Sequence, residues 1–470
     1  MAPTATRLFF LLGLLGLGQA FPRPASLCDR IRTEAVPRLS PKSTVQCNVE
    51  NERWSEYAIP KPGAIITAGT EDDVAVTVAF SKRNNIKFLV QSGANGWANT
   101  FNIGPEDVVI DTSGLKAISF NAERTQVTFQ AGVLIQDLVN AAWENNARVS
   151  TGTCNCVSVL GAGLGGGIGR TQGLYGHGVD QLLSITYVDA NGRKSTVTAK
   201  SDPDLWWAFA GAGPNFGIVT SVVFKSYPVA QADNIGWTGS LVYSDSQLED
   251  LIVAMDNLEL EPEMQLDFTF TQGAVILIPF YIGGEEAARE KFAPLLDIGP
   301  LVEDTTMLPY NSWSSGADSF CVKGGRKPSY GVNVQDLSPT AWRNVWNEYA
   351  SFTAQHAEAN LTTILSECYS TDYATSNPNT SYPWRGTKCY VTIIPWYTNP
   401  ALDGEANQFG QNIRSYLSSS SGLGQLSSYI NFAHGDEPLS SIYGDSLSRL
   451  QKLKRKYDPS KRFNQWFPLS

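Results

Sequence analysis

Thr151-Gly152-Thr153-Cys154-Asn155-Cys156-Val157 leads, after three intervening residues, into Gly161-Ala162-Gly163-Leu164-Gly165-Gly166-Gly167-Ile168-Gly169. Glycine tolerates positive φ and lets backbone amides approach a ligand closely, so such a run can serve as a wall of N–H donors. Two further clusters repeat the theme: Ser92-Gly93-Ala94-Asn95-Gly96-Trp97, and Gly211-Ala212-Gly213-Pro214-Asn215-Phe216-Gly217. Tight turns account for one such cluster comfortably and for three poorly. The three together read as bends that wrap a pyrophosphate. With a formal net charge of -10, the chain then holds an anionic ligand mainly by peptide dipoles. Gly161, Gly163 and Gly166 match the spacing of the Rossmann fingerprint, but that motif follows a strand and opens a helix. Here glycine continues through Gly165 to Gly169, each costing ~1 kcal/mol against alanine in a helix interior, so the run reads as loop.

Outward from the glycines, Cys154 has three readings: a disulfide half, an apolar filler or a covalent anchor. A zinc site is not expected, because Cys154 and Cys156 are closer than the usual ligand pair and only His177, His356 and His434 are available. No G-x-S-x-G elbow supports a serine hydrolase. Seven cysteines suit an oxidising compartment. Cys28 with Cys47 would staple the N-terminal segment, Cys368 with Cys389 is a candidate second pair, and the odd total leaves at least one thiol over. Residues 1–20 carry Arg7, an apolar run from Leu8 to Leu17 and a small-residue end at Ala20, the pattern of a signal peptide. No later stretch is apolar enough for a membrane span, and the expected location is the secretory pathway or beyond. Asn360-Leu361-Thr362 and Asn379-Thr380-Ser381 are N-glycan acceptors on that route. The acidic balance argues against nucleic acid and anionic membranes as partners.

Residues 57–228 interleave helix and strand. Thr70 caps a helix whose first turn is Glu71-Asp72-Asp73, while Val108 to Asp111 and Gln126 to Phe129 read as strands. Residues 229–428 are more aromatic, with strands at Phe268-Thr269-Phe270, Ala274 to Ile278 and Cys389 to Pro395, and a Trp-rich helix from Ala341 to Ala354 to cover the sheet. Ser418 to Gly422 reads as a flexible polar break. Residues 429–470 give a strand at Tyr429 to Phe432 and a helix from Ser446 to Tyr457. The class is α+β.

The first glycine loop, the Cys154 to Gly169 run, Asn215-Phe216-Gly217-Ile218-Val219-Thr220 and the tail Lys456-Tyr457-Asp458-Pro459 through Phe463-Asn464 together resemble the berberine bridge enzyme-like family. Its members are FAD-linked oxidoreductases of the vanillyl-alcohol oxidase type, and the likeness is strongest to the fungal secreted branch. The resemblance implies a two-lobed PCMH-type FAD-binding domain over 57–228, a substrate domain with an antiparallel sheet over 229–428, and a C-terminal segment over 429–470 that returns to the FAD domain. It implies that Ser92, Gly93, Ala94, Asn95, Gly96, Trp97, Val157, Gly161, Gly163, Gly165, Gly166, Gly217, Ile218, Val219 and Asn464 bind FAD. Cys154 falls where many relatives form a thioether to the flavin, whereas Cys156 has no such role by position.

Two departures matter. Doubly tethered relatives carry histidine where this chain has Ala94 and Asn95, so the histidyl bond cannot form and the flavin potential is expected to be lower. An arginine common in relatives is missing at Phe209-Ala210-Gly211. The resemblance implies oxidation of an alcohol or hydroxylated secondary metabolite with oxygen as acceptor. A redox-neutral isomerase or cyclase and a non-catalytic secreted flavin-binding protein stand as alternatives, separated by peroxide release and by flavin reduction. For the proton step the candidates are Tyr429, with Asn431 on the same face of the expected strand, and more weakly Tyr390. A phenol near pKa 10 needs help to act as a base. His177, near the flavin loops, reads as structural.

Overall fold

The computed structural model describes residues 25–373 and 379–469, so the expected signal peptide lies outside the described residues. The first lobe is built on a four-stranded sheet in which Thr44–Cys47 pairs antiparallel with Ala64–Thr67, followed by parallel pairing to Val108–Asp111 and Phe88–Gln91. The helix Glu71–Arg83 covers it. Thr70 Oγ1 accepts from the Asp73 amide while the Asp73 carboxylate accepts from the Thr70 amide, so the chain stops extending where the sequence says it should. The second lobe is an antiparallel sheet of Ile118–Phe120, Gln126–Gln130, Ile218–Lys225, Leu182–Val188 and Lys194–Val197. Its strand Gln126–Gln130 alternates exposed and buried positions, as a sheet with one solvated face requires. Strand Thr44–Cys47, ahead of the expected start at residue 57, also joins the first sheet.

A seven-stranded antiparallel sheet follows, beginning at Ile235–Tyr243 and including Met264–Thr271, Ala274–Tyr281, Thr363–Tyr369 and Cys389–Ile394. The helix Pro339–Gln355 packs Trp342 and Trp346 edge-on against Phe270, with ring centroids 5.9 and 5.0 Å apart. Helix Asp403–Ser419 lies alongside, and the stretch after it is ordered, since Ser421 is buried and its carbonyl accepts from Gln335 and Asp336 amides.

The C-terminal segment differs from expectation at Tyr429 to Phe432. These residues form a turn, closed by the Phe432 amide donating to the Tyr429 carbonyl at 2.8 Å. A tetrapeptide of two aromatics and an isoleucine around Asn431 reads as strand by composition, but no neighbouring described strand pairs with it. Helix Leu447–Tyr457 then carries Lys454 inward. Its ammonium donates to the Asn215 carbonyl at 2.8 Å, to Asp458 at 2.8 Å and to the Phe463 carbonyl, with both charged groups buried. Asp458 in turn accepts from the Arg462 and Phe463 amides. This buried pair is what docks the tail on the third glycine bend.

Three disulfides join Cys28 to Cys47, Cys156 to Cys321 and Cys368 to Cys389, leaving Cys154 free. The Cys156 pairing was not anticipated. It spans 165 residues and ties the 3₁₀ helix Ser315–Cys321 to the glycine lobe.

Removing one member of a buried pair strands the other charge, at a cost of about 3–5 kcal/mol. Asp458→Ala is therefore expected to lower the free energy of unfolding in urea by about that amount, with the loss concentrated in the C-terminal segment by hydrogen exchange.

Candidate active site

A cavity of about 350 Å³ opens between the two glycine lobes, the large sheet and the returning tail. Its lining includes Ser92, Ala94, Asn95, Gly96 and Trp97 of the first bend, Cys154, Val157 and Gly161 of the second, and Gly217, Ile218 and Val219 of the third, with Asn464 from the tail. Sequence-predicted residues from all three glycine bends therefore meet at one cavity.

Four predicted cofactor contacts lie behind that lining. Gly163 faces Phe224 of the second lobe, at 3.9 Å from a hypothetical Cβ. A Cβ at Gly165 would meet Ile430 at 2.7 Å and Asn431 at 2.9 Å, and one at Gly166 would meet Tyr382 at 2.9 Å. Gly93 packs on the Cys156 carbonyl and the Ser158 amide, each 3.1 Å from a Cβ. Gly93, Gly165 and Gly166 are needed for close approach of other protein segments, whereas at Gly163 a side chain would meet Phe224 at ordinary contact distance. In the third cluster, Gly211, with φ +136°, likewise makes room for Ser381 and Tyr382. The run is not wholly loop either: Val159–Gly163 forms a short helix capped by Ser158, whose hydroxyl accepts from the Gly161 amide.

Local geometry fixes the first bend. Ala94 sits at φ +56°, a conformation that strains any residue with a Cβ, and its carbonyl accepts from the Trp54 amide at 3.0 Å. Arg53, absent from the sequence expectations, also lines the cavity. Its guanidinium donates to Gln91 at 3.0 Å and to the Gly96 carbonyl at 2.8 Å, and burial pulls its pKa down to about 10. The cavity thus has a buried cation as well as peptide dipoles. Two polar atoms of the bend, Asn95 Oδ1 and Trp97 Nε1, are buried without a hydrogen-bond partner among the described residues. Buried polar atoms are ordinarily satisfied, so this lining fits a ligand with polar groups of its own.

Tyr429 and Asn431 both reach the cavity, by way of the turn rather than a shared strand face. The Tyr429 hydroxyl accepts from the Gly167 amide at 3.1 Å and from Asn431 Nδ2 at 2.6 Å, and donates to the Ala162 carbonyl at 3.3 Å. Burial pushes its pKa up to about 12. With its hydrogen bonds filled and ionisation disfavoured, it braces the glycine run. Tyr390 is also buried and donates to the Trp384 carbonyl at 3.1 Å, and its pKa is raised by burial. His177 is fully buried beside Tyr390 and Tyr382, and burial, with Arg385, lowers its pKa well below the usual imidazole value, as befits a structural residue.

The titratable group that the sequence did not single out is Glu367, the one carboxylate among the described lining residues. It sits on Thr363–Tyr369, accepts from the Tyr369 hydroxyl and from Thr153 Oγ1 at 3.4 Å, and is 6% exposed. Directly across the sheet stands Asp267, also buried, with Arg170 4.0 Å from its carboxylate. Burial first and the Asp267 charge second raise the Glu367 pKa well above the ordinary carboxylate range. Cys154 adjoins Thr153, and burial pushes its thiol up to about 11, with smaller contributions from Glu367 and Asp318. The three clustered sulfurs of Cys154, Cys156 and Cys321 are not a ready metal site, since two of them are spent in a disulfide.

Comparison with known proteins agrees with this geometry. The family description "FAD binding domain" matches residues 62–198, and "Berberine and berberine like" matches residues 428–466. An FAD-linked oxidoreductase of Pyricularia oryzae is 34% identical over 88% of this chain and 85% of its own length. One of Aspergillus fumigatus is 33% identical over 87% and 92%. Among solved structures, the berberine bridge enzyme-like protein 1 of Physcomitrella patens superposes with a TM-score of 0.80 at 19% identity, covering 95% of this chain and 100% of that one. A xylooligosaccharide oxidase of Myceliophthora thermophila in complex with xylobiose also gives 0.80, at 20% identity, covering 95% and 99%.

Tyr429→Phe leaves the buried Gly167 N–H without its acceptor, and is expected to cost about 1–3 kcal/mol of stability while preserving the shape of the pH–rate profile, as thermal unfolding and steady-state kinetics would register. With its matched segments, its relatives and its cavity in accord, the chain belongs to the berberine bridge enzyme-like family of FAD-linked oxidoreductases.

Proposed function

We propose that the protein is an oxidase that removes hydride from an alcohol carbon of a small hydroxylated metabolite, with Glu367 accepting the hydroxyl proton and Cys154 tethering the cofactor. FAD, when bound, supplies the hydride acceptor and the route to oxygen. The observation that carries the reading is the placement of Glu367. It is the sole carboxylate among the described residues of the lining, and it accepts a hydrogen bond from Thr153, the residue next to Cys154. A flavin held at Cys154 would be attached one residue from the hydroxyl that bonds this carboxylate. Its raised pKa brings its basicity nearer to what a general base needs at neutral pH than either Tyr429 or an ordinary glutamate offers.

The chain's other contributions are orientation and exclusion of water. Trp97 and Phe432, stacked with centroids 6.4 Å apart, form an apolar wall of the cavity, which suits a ring-bearing or sugar-like substrate. Several structural neighbours are carbohydrate oxidases, which is compatible with that class. Export is part of the proposal: residues 1–20 have the signal pattern, three disulfides suit an oxidising compartment, and Asn360 and Asn379 are both exposed for glycan attachment.

A base must be deprotonated to act, so kcat/KM is expected to rise with pH through the Glu367 pKa, well above the ~4.3 of a free glutamate. Glu367→Gln should abolish that limb and lower the rate of flavin reduction by about 10²–10⁴-fold, while leaving bound flavin in place. Stopped-flow reduction by a panel of alcohols and sugars, with peroxide detection, checks both. Product formed without peroxide would instead support redox-neutral turnover, and an unchanged profile in the variant would remove Glu367 from the mechanism.

A further inference from the structure

Glu367 and Asp267 are register partners on neighbouring strands of the large sheet, Thr363–Tyr369 and Met264–Thr271. Directly opposed residues of an antiparallel pair carry their side chains on one face, with Cβ atoms about 4.5–5.5 Å apart. Two buried carboxyls therefore meet. Glu367 lines the cavity, while Asp267 stands one strand further back, where Arg170 approaches it. Asp267 Oδ1 accepts from Gln265 Nε2 at 2.5 Å, and Arg170 Nη1 comes to 4.0 Å from Oδ2 while donating to Gln265 Oε1. The same guanidinium lies over the Phe280 ring, 4.7 Å from its centroid. Arg170 thus holds Asp267 from a distance, without the bidentate fork of a strong arginine–carboxylate pair.

The other groups that face Glu367 carry no charge near neutrality. Tyr369 on its own strand, Tyr390 opposite it on Cys389–Ile394, Tyr429 from the C-terminal turn and Cys154 from the second glycine bend are all kept protonated by burial. Thr153 adds a neutral hydroxyl. Among the described residues, Glu367 then senses one anion across the sheet and one cation behind it.

We propose that Asp267 and Glu367 work as a carboxyl pair that binds one proton between them, with Asp267 the positioning residue that makes Glu367 a stronger base and Arg170 the cation that limits the effect. Like charges so close do not both ionise readily. The doubly charged pair accordingly takes up a proton at a higher pH than a lone carboxylate would, and that titration belongs to the pair. In turnover the proton passes from the substrate hydroxyl to Glu367, and the facing charge of Asp267 retains it there. The effect on rate rests on the reading of Glu367 as the base; the pair itself is a property of the substrate-free protein.

The test reads the pair first and turnover second. In the substrate-free holoprotein, the infrared band of protonated carboxyl groups is followed against pH, and the Glu367 contribution is identified by its loss in Glu367→Gln. Asp267→Asn keeps the size and the acceptor for Gln265 but removes the charge, and should move the Glu367 midpoint down by about one pH unit or more. Arg170→Met removes the offsetting cation and should move it up, whereas Asp267→Glu should leave it close to the wild-type value. The rising limb of kcat/KM should follow the midpoint in each variant, which lost packing alone does not produce. An unmoved midpoint in Asp267→Asn, or shifts of the same sign in Asp267→Asn and Arg170→Met, would overturn the proposal; the first variant decides alone if the second does not fold. Midpoints that shift as expected while Glu367→Gln leaves the kinetic limb intact would uphold the pair and strike only the reading of Glu367 as base.

Discussion

The structure depends on a seam where backbone meets side chain with no room between. Gly165, Gly166 and Gly167 lie against Ile430 and Asn431, against Tyr382, and against the Gly178 backbone, at distances a Cβ could not occupy. That contact lets the tail reach the second glycine bend and lets the large sheet close over it. Without it, residues from four distant stretches would not meet at one cavity. Tyr429 strengthens the seam by receiving the Gly167 N–H, and the buried Lys454–Asp458 pair fixes the same tail at its far end. The glycines thus divide their labour: some, such as Gly96, Gly161 and Gly217, give the cavity bare backbone, and others give neighbouring segments bare backbone to pack on.

Electrostatics in the cavity follow from burial more than from net charge. An acidic chain places a buried arginine, Arg53, at one wall and a buried glutamate, Glu367, at another. The first is held by neutral acceptors. The second is held protonated to higher pH by burial first and then by the charge of Asp267 across the sheet, which the nearby Arg170 only partly offsets. A carboxyl group poised that way can take a proton at neutrality and give it back, whereas the two tyrosines of the cavity region are held neutral.

Much of this was legible in the residue order. Thr70 with Asp73 announces a capped helix, alternation in Gln126–Gln130 announces a half-buried strand, and three glycine clusters announce a backbone-lined site, because each rests on local geometry. Cys28 with Cys47 and Cys368 with Cys389 were legible through short spacing. Cys321 was not, since nothing local marks a partner 165 residues away. Arg53 and Glu367 are single charged residues in unremarked stretches, and only tertiary contact turns one into a wall and the other into a perturbed acid. The turn at Tyr429 to Phe432 escaped because strand propensity presupposes a neighbouring strand. Gly165 and Gly166 also make room for Ile430, Asn431 and Tyr382, a packing role that sequence cannot show because it does not say on which side of a loop the close approach occurs.

A flavin seated among these three bends and attached at one sulfur is the feature on which all the proposed chemistry rests. The visible spectrum of purified full-length protein, before and after acid precipitation, alongside intact mass, addresses that most directly. Yellow colour carried into the pellet, a mass raised by one FAD, and release of the colour in Cys154→Ala are the predicted results. Colourless protein that cannot be reconstituted with FAD, or colour that stays in the pellet of Cys154→Ala, would contradict it.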